Sequence, residues 1–307
     1  MRPAFAGHAS ARTGAPTDRT AEPRKRTVPH APSHAIDDSP SAWRGRARDG
    51  RHASHTVGRA AGFLQGNLAI VPDALSRDFL LYCHRNPKPC PLIGVGDPGE
   101  PALPALGDDI DIRTDVPAYR VFRDGEGGGG TRVTDLSEVW RDDLVAFVLG
   151  CSFSFEDALV ASGIPVRHVE AGRNVPMYRT TIATRPAGPF AGPLVVTLRA
   201  FRPADAIRAI VLSERFRLAH GAPLHLGDPR AIGIDDLDTP DFGDPPIVEN
   251  GDVLVFWACG VTPQLALRDA GADLVATHEP GCMLITDIPT AAAEARLSGM
   301  PDAGGAP

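Results

Sequence analysis

Two stretches of the chain decide the fold: LVAFVLGCS at 144–152, followed by FSFEDALVAS at 153–162, and VLVFWACGVTP at 253–263, followed by QLALRDA at 264–270. Each begins with a continuous apolar run of strand length, passes through a turn that contains Cys and Gly, and continues at helical spacing. Continuous apolar strands followed by helices are typical of parallel sheets that helices cover on both faces. We therefore predict an α/β fold with a mostly parallel sheet flanked by helices in three layers.

The rest of the chain divides by composition into further parts. Residues 1–57 are rich in Ala, Arg and Pro and have no hydrophobic period, so we predict a disordered tail there and another at 291–307. The main α/β domain is expected to comprise 58–173 and 236–290. A smaller α+β domain is expected as an insertion at 174–235, where the strand-like and helix-like runs are short.

Composition and charge argue against several classes of partner. The 307 residues include 31 basic and 38 acidic side chains and are 43% hydrophobic, which is the balance of a folded protein. Residues 1–50 carry nine basic and five acidic side chains, whereas residues 51–307 carry 22 basic and 33 acidic ones, so the acidic body is not expected to offer a surface for nucleic acid. No apolar run reaches the roughly 18–20 residues of a membrane helix. Five cysteines without a CxxC pair fit a reduced, cytoplasmic compartment. Whether the protein forms a homo-oligomer is left open by the sequence.

The two Cys and Gly turns are the first candidate site, because ligands bind beyond the strand ends of α/β sheets and helix starts attract anions. Two interpretations of Cys151 and Cys259 remain open. Thiols at helix starts are often acidified nucleophiles, but small buried residues also serve packing at tight turns. Ser152 and Thr262 are candidate hydrogen-bond donors, with Thr262 also placed as a helix N-cap, and Gly260 is a candidate substrate contact.

A series of strings, in order along the chain, resembles one bacterial family. The strings are RNPKPCP (85–91), DIRTD (111–115), WRDDLVAF (140–147), GCSFSFE (150–156), GRNVPMYRT (172–180) and FWACGVTPQ (256–264). Over about 62–287 the chain is similar to the hydro-lyase family, also called the D-glutamate cyclase family. The resemblance implies a two-part α/β architecture and carbon–oxygen lyase chemistry, in which D-glutamate closes to 5-oxo-D-proline and water is expelled.

One departure from the family pattern concerns its closing string. The family carries a histidine after Pro-Gly, whereas Pro280 and Gly281 are followed here by Cys282. The nearest substitute is His278. If the family histidine moves protons or contacts a ligand, this position changes the rate, so Cys282 and His278 are candidate substrate contacts.

Cyclisation of glutamate requires a cationic grip on a carboxylate, a base, donors for an oxyanion and an acid for the departing oxygen. Arg179 and Arg185 are candidates for the grip, because guanidinium binds a carboxylate through two parallel hydrogen bonds. The alternative, that each arginine pairs with an acidic neighbour, remains open. Asn174 and Tyr178 lie in the same strings and are further candidate substrate contacts.

The candidate bases are histidines and carboxylates. His168 and Glu170 alternate on a strand-like segment, 166–170, so their side chains are predicted to share a face, either as a base with its orienting group or as two solvated residues. Glu156 lies in the first turn of its predicted helix, and two interpretations remain open for it, a catalytic group and a helix cap. His220 is a further catalytic candidate.

We therefore expect an enzyme, a hydro-lyase that acts on a small amino-acid-like carboxylate such as D-glutamate. No metal is expected, because the spacing of His220 and His225 matches no zinc signature, and no cofactor is expected. The alternative is a non-catalytic protein that binds a small anion such as 5-oxoproline and regulates a partner.

Overall fold

The strands of this protein pair antiparallel throughout the part that the structure describes. The structure is a computed structural model and describes residues 37–123 and 129–297. Its strands are β1 (Phe63–Pro72), β2 (Leu92–Val95), β3 (Tyr119–Arg123), β4 (Thr131–Val133), β5 (Leu144–Gly150), β6 (Met177–Ala183), β7 (Pro193–Phe201), β8 (His225–Leu226), β9 (Val253–Ala258), β10 (Leu274–His278) and β11 (Leu284–Pro289).

The larger sheet is built around β1. It has the order β2-β5-β1-β10-β3-β4, and β11 also pairs with β1. One edge of β1 pairs with β5, while its other edge pairs with β11 along the first half and with β10 further on. Every pair is antiparallel.

The prediction of a mostly parallel sheet is therefore wrong, although the mixed α/β class is confirmed. All seven residues of β5 are buried, and so is β1 after its first residue. A strand that is buried on both faces has a continuous apolar sequence whichever way its neighbours run. The apolar runs therefore indicate that the strands are buried. The prediction wrongly inferred from them that the strands run parallel.

The smaller sheet has the order β6-β7-β9-β8 and is also antiparallel. Its strands β6, β7 and β8 lie in the predicted insertion at 174–235, but β9 comes from the segment assigned to the main domain. The described residues form one compact unit. The proposed domain boundaries otherwise stay a prediction.

The helices cover these sheets and extend into both predicted tails. They are α1 (Pro40–Arg48), α2 (Asp73–Arg85), α3 (Phe153–Ala161), α4 (Arg167–Glu170), α5 (Pro203–Ser213), α6 (Val261–Arg268) and α7 (Thr290–Leu297). Among the described helices, none combines the length and the apolar character needed to cross a membrane.

The helix α1 corrects the predicted tail at 1–57. Trp43 and Arg44 are buried, and the Arg44 guanidinium donates to the Ile285 carbonyl oxygen at 2.8 Å and to Asp287 at 2.9 Å. Such contacts stabilise a short helix that composition alone does not favour. Helix α7 likewise corrects the start of the tail predicted at 291–307, while 1–36 and 298–307 lie outside the described residues.

Candidate functional site

The two Cys and Gly turns, which follow β5 and β9, converge on one small cavity between the two sheets. Cys151 and Cys259 both line it, together with Gly260. The cavity is small: a volume of about 20 Å³ is open to the centre of a water molecule, which is room for about one small polar group. The polar residues of the lining are Asn67, Ser152, Thr197, His220 and His278.

His220 is held as a hydrogen-bond acceptor toward the cavity. Its Nδ1 lies 2.7 Å from the carbonyl oxygen of Lys88, so Nδ1 carries the hydrogen and donates it. A neutral imidazole then has its lone pair on Nε2. Burial lowers the pKa of His220 to about 4, so the ring is neutral at pH 7.

His278 has the opposite tautomer. The backbone N–H of Leu68 donates to Nδ1 at 3.0 Å, so the ring hydrogen is on Nε2. The side-chain amide of Gln264 lies 2.8 Å from Nε2. To accept the Nε2 hydrogen, this amide must present its oxygen, which corresponds to the flipped orientation of the side chain. Burial lowers the pKa of His278 to about 4. The two rings therefore have opposite tautomers, and the single N–H of His278 is directed at Gln264.

This pair of histidines is expected to make the protein less stable in mild acid. The unfolded chain binds a proton at each ring below about pH 6.5, whereas the folded rings stay neutral down to about pH 4. The free energy of unfolding should fall as the pH falls through this window, by up to about 3 kcal/mol per histidine. Urea unfolding from pH 7 to pH 4 measures it.

A control for this pH dependence is His278→Gln, which should lose about half of the histidine contribution. Asp157 changes stability in the opposite direction. Burial raises its pKa to about 6, so the folded carboxyl keeps its proton to a higher pH than the unfolded one, and its contribution to the free energy of unfolding grows as the pH falls below about 6. The comparison between wild type and variant removes this contribution. Equal slopes for the two proteins would contradict the assignment of His278 as a buried neutral ring.

A buried charge cluster adjoins the cavity. Arg199 Nε on β7 donates to Glu156 Oε1 on α3 at 2.9 Å, and His168 Nε2 lies 3.0 Å from the same oxygen, close enough for electrostatic attraction. Burial by itself raises the pKa of Glu156, but His168 and Arg199 outweigh it and bring the pKa to about 2. The guanidinium carbon lies 5.0 Å and 5.3 Å from the ring centroids of Phe155 and Trp257.

Sequence reasoning missed Arg199, Asn67 and Thr197. Arg199 lies in the apolar strand at 193–201 and is 3% exposed, so its partner on a distant helix was invisible in the sequence. The signal that was available is a lone charge inside a continuous apolar strand, because such a charge is rarely buried without a partner. Asn67 and Thr197 carried a similar signal as polar residues in buried strands.

The predicted pairing of His168 with Glu170 is wrong. The segment is the helix α4, not a strand, and residues two apart on a helix point in different directions. His168 is buried beside Glu156, whereas Glu170 is exposed and lies outside the cluster. Glu156 is buried in the first turn of α3 and paired with Arg199, so the alternative of a helix cap does not by itself explain it.

The two arginines predicted as a carboxylate grip both lie outside the cavity. Arg179 is exposed, with its Nε 3.5 Å from Asp241. Arg185 is also exposed, and its backbone exchanges hydrogen bonds with the Asn86 side chain at 2.8 Å. For Arg179, the structure therefore matches the alternative of an acidic neighbour.

Tyr178 and Asn174 also lie outside the lining. The Tyr178 hydroxyl donates to the Leu237 carbonyl oxygen at 2.6 Å. Asn174 packs behind the cavity-lining Gly281, where an added Cβ would lie 2.6 Å from its amide nitrogen. Both are better explained as structural supports than as substrate contacts.

The remaining turn residues have packing roles that differ from the predictions. Thr262 is not the N-cap of α6, which is Gly260; its hydroxyl accepts from the Val195 N–H at 2.9 Å and so ties the helix to β7. Gly260 touches Asn67 so closely that an added Cβ would lie 2.1 Å from the amide. A glycine is thus required there for space.

The cysteines at the cavity behave as neutral packing residues. Burial raises the pKa of Cys151 to about 12 and that of Cys259 to about 11, so neither forms a thiolate at neutral pH. Cys282 lies outside the cavity, in an apolar cluster with Leu68 and Leu284. Its two neighbours in sequence line the cavity, so position 282 faces the opposite way.

Replacing Cys282 with the family histidine is expected to destabilise the protein without raising turnover. Cys282 is only 4% exposed, so the imidazole of Cys282→His would be buried in an apolar cluster. The free energy of unfolding should therefore fall by about 2–4 kcal/mol. Urea unfolding and turnover of purified protein measure the two effects. A stable variant with faster turnover would show that position 282 reaches the substrate.

A larger cleft adjoins the cavity and shares Val261 with it. Its volume is about 150 Å³, and its polar lining includes Arg120, Gln264, Arg268 and Glu279. Since Gln264 also contacts His278, the cleft leads to the histidine pair. Within the described residues, no group of three or more His, Cys, Asp or Glu side chains is arranged to hold a metal ion.

Comparison with known proteins identifies the relatives of this fold and site. The chain is 56% identical over 252 residues to a protein of Bordetella petrii and 54% identical over 254 residues to one of Rhizobium johnstonii, both named "Putative hydro-lyase". These matches cover 81% and 83% of this chain and 95% and 94% of the relatives. The relatives thus place the chain among bacterial proteins named as hydro-lyases.

The family itself is given by a second finding. Residues 145–287 match the family described as D-glutamate cyclase, a range that contains both Cys and Gly turns. The chain belongs to the D-glutamate cyclase family. A solved structure of a nitrogen repressor-like protein, MJ0159 from Methanococcus jannaschii, matches over 81% of this chain and 98% of that chain, but its TM-score of 0.34 and its 9% identity are too low to indicate a shared fold.

Proposed function

We propose that this protein is a hydro-lyase that closes D-glutamate to 5-oxo-D-proline with loss of water. The observation that carries the proposal is the buried neutral imidazole of His220, whose Nδ1 donates to the Lys88 carbonyl oxygen and whose Nε2 keeps its lone pair, in the wall of one cavity. Such a ring is a proton acceptor at neutral pH. Membership of the D-glutamate cyclase family supports D-glutamate as the substrate.

The reaction moves two protons from nitrogen to oxygen. The amine nitrogen attacks the carbon of the side-chain carboxyl, a C–N bond forms, and one C–O bond breaks. The departing oxygen leaves as water after it receives two protons that the ammonium nitrogen releases. His220 Nε2 is placed to take each proton and pass it on, so the ring ends as it began.

His278 has a different role in this scheme. The neutral ring directs its single N–H at the Gln264 side chain, so His278 positions Gln264 at the point where the cavity meets the cleft. Its low pKa, caused by burial, keeps it in this neutral form. The substrate is expected to enter through the adjoining cleft, past Val261, because the cavity alone accommodates about one small polar group.

Proton NMR of the purified full chain with D-glutamate, 5-oxo-D-proline and both L-forms tests the proposal. Conversion that depends on the protein and is restricted to the D-forms supports it, whereas conversion of the L-forms alone contradicts it. Binding of 5-oxoproline without conversion of any of the four compounds would instead favour a non-catalytic binding protein. The absence of both binding and conversion would overturn the substrate assignment.

A further inference from the structure

We propose that Arg199 is a positioning residue that turns the hydroxyls of Ser152 and Thr197 into a pair of donors for the carboxylate of the substrate. The inference rests on the proposed function for the identity of the ligand, and it assigns the part of the site that recognises its carboxylate. It replaces Arg179 and Arg185, the arginines that the sequence had indicated for this purpose.

The guanidinium of Arg199 spans both hydroxyls. Its NH1 donates to Thr197 Oγ1 at 2.9 Å, and its NH2 donates to Ser152 Oγ at 2.9 Å. Ser152 and Thr197 both line the cavity, whereas Arg199 itself is absent from the described lining. The hydrogen bonds of Arg199 therefore reach the cavity wall through Ser152 and Thr197.

This arrangement determines what the two hydroxyls offer. A hydroxyl that accepts from a guanidinium N–H cannot aim its own hydrogen at that nitrogen, so the hydrogen must point elsewhere. Within the described residues, the structure shows no acceptor for either hydroxyl hydrogen. Because the cavity is the open space beside both oxygens, the two O–H groups are available there as donors.

Charge balance fits this role. Arg199 is neutralised by Glu156, so the pair of hydroxyls recognises an anion through oriented dipoles and not through a bare positive charge. The cavity has room for about one small polar group, so binding of the α-carboxylate here, with the reacting groups of the substrate at His220, requires its walls to open toward the adjoining cleft.

Asn67 completes the recognition of an amino acid. Its Nδ2 donates to the carbonyl oxygens of Gly150 at 2.8 Å and Leu149 at 3.3 Å, so both amide hydrogens are used. The side-chain oxygen is then the group that Asn67 offers to a ligand. An oxygen acceptor beside two hydroxyl donors complements the ammonium and the carboxylate of an amino acid.

The experiment compares binding of 5-oxo-D-proline with binding of its carboxamide, by calorimetry or saturation-transfer NMR on the full chain. Wild type should prefer the carboxylate by about 10- to 100-fold, because charge-assisted hydrogen bonds are lost in the amide. Thr197→Val should raise the Kd for the carboxylate about tenfold or more and change the Kd for the amide much less. In turnover, it should raise KM more than it lowers kcat.

Two further variants separate recognition from folding. Thr286→Val is the matched control, because Thr286 is an equally buried strand threonine whose hydroxyl donates to the Leu64 carbonyl oxygen outside the cavity. It should leave both Kd values unchanged. Thr197→Ser keeps the hydroxyl and should restore the preference for the carboxylate.

The outcomes distinguish this inference from the proposed function. If wild type converts D-glutamate but Thr197→Val keeps the full carboxylate preference, the inference is overturned and the function stands. If the preference exists and depends on Thr197 but no conversion occurs, the inference stands and the function is overturned. If wild type binds neither compound and converts nothing, both are overturned.

Discussion

Arg199→Met is expected to destabilise the protein by about 3–5 kcal/mol, which is a large part of the stability of an ordinary domain. The substitution removes the cation that donates to Glu156 and leaves a carboxylate that is 2% exposed. Methionine fills much of the space between Phe155 and Trp257, so the loss reflects charge more than volume. Urea unfolding at pH 7 measures it.

The double variant Glu156→Gln/Arg199→Met is the control for this prediction. A buried ion pair is costly to break but is often replaced without loss when both charges go, so the double variant should be more stable than the sum of the single effects predicts. Additive losses would show that the two side chains act independently. A loss below about 1 kcal/mol in Arg199→Met would show that water reaches Glu156.

The cluster also makes a prediction about acid. The pKa of Glu156 is lowered to about 2, so its contribution to stability is fully present above about pH 4.5 and is lost as the pH falls toward 2. Arg199→Met should weaken this dependence, because the carboxyl then has one favourable partner fewer. The comparison of wild type with the variant between pH 5 and pH 2 measures the difference.

The sequence located the cavity but not its chemistry. Cys151 and Cys259 were predicted as neighbours because both follow buried strands, and they are neighbours even though the supporting argument, a parallel sheet, was wrong. Each strand-turn-helix unit places its turn at the end of a buried strand. Here those ends meet between two antiparallel sheets.

What the sequence could not provide was the partner of each polar group. The tautomers of His220 and His278 depend on backbone atoms of Lys88 and Leu68, which lie 132 and 210 residues away along the chain. No local pattern specifies such contacts. Arg199 was hidden for the same reason, since its role depends on a carboxylate 43 residues away on another element.

The second large effect is expected from His220→Asn, which should lower kcat for D-glutamate by about 10²–10⁴-fold, the usual contribution of a positioned base. Asparagine has no basic nitrogen, so it cannot carry protons from the amine to the departing oxygen. The backbone at this position has a φ of 77°, a left-handed conformation that asparagine tolerates better than most residues. The fold should therefore survive the change.

The control for His220→Asn is His225→Asn, which alters a histidine that lies outside the described cavity lining and contacts the Asp228 carbonyl oxygen at 2.7 Å. Its kcat should stay within about twofold of wild type, because His225 takes no part in the proton transfers. Binding of 5-oxo-D-proline by His220→Asn should also change little, since His220 moves protons and does not hold the carboxylate. If His220→Asn kept full turnover, the base would have to be another group, and the opposite tautomers of the two imidazoles would then serve packing rather than catalysis.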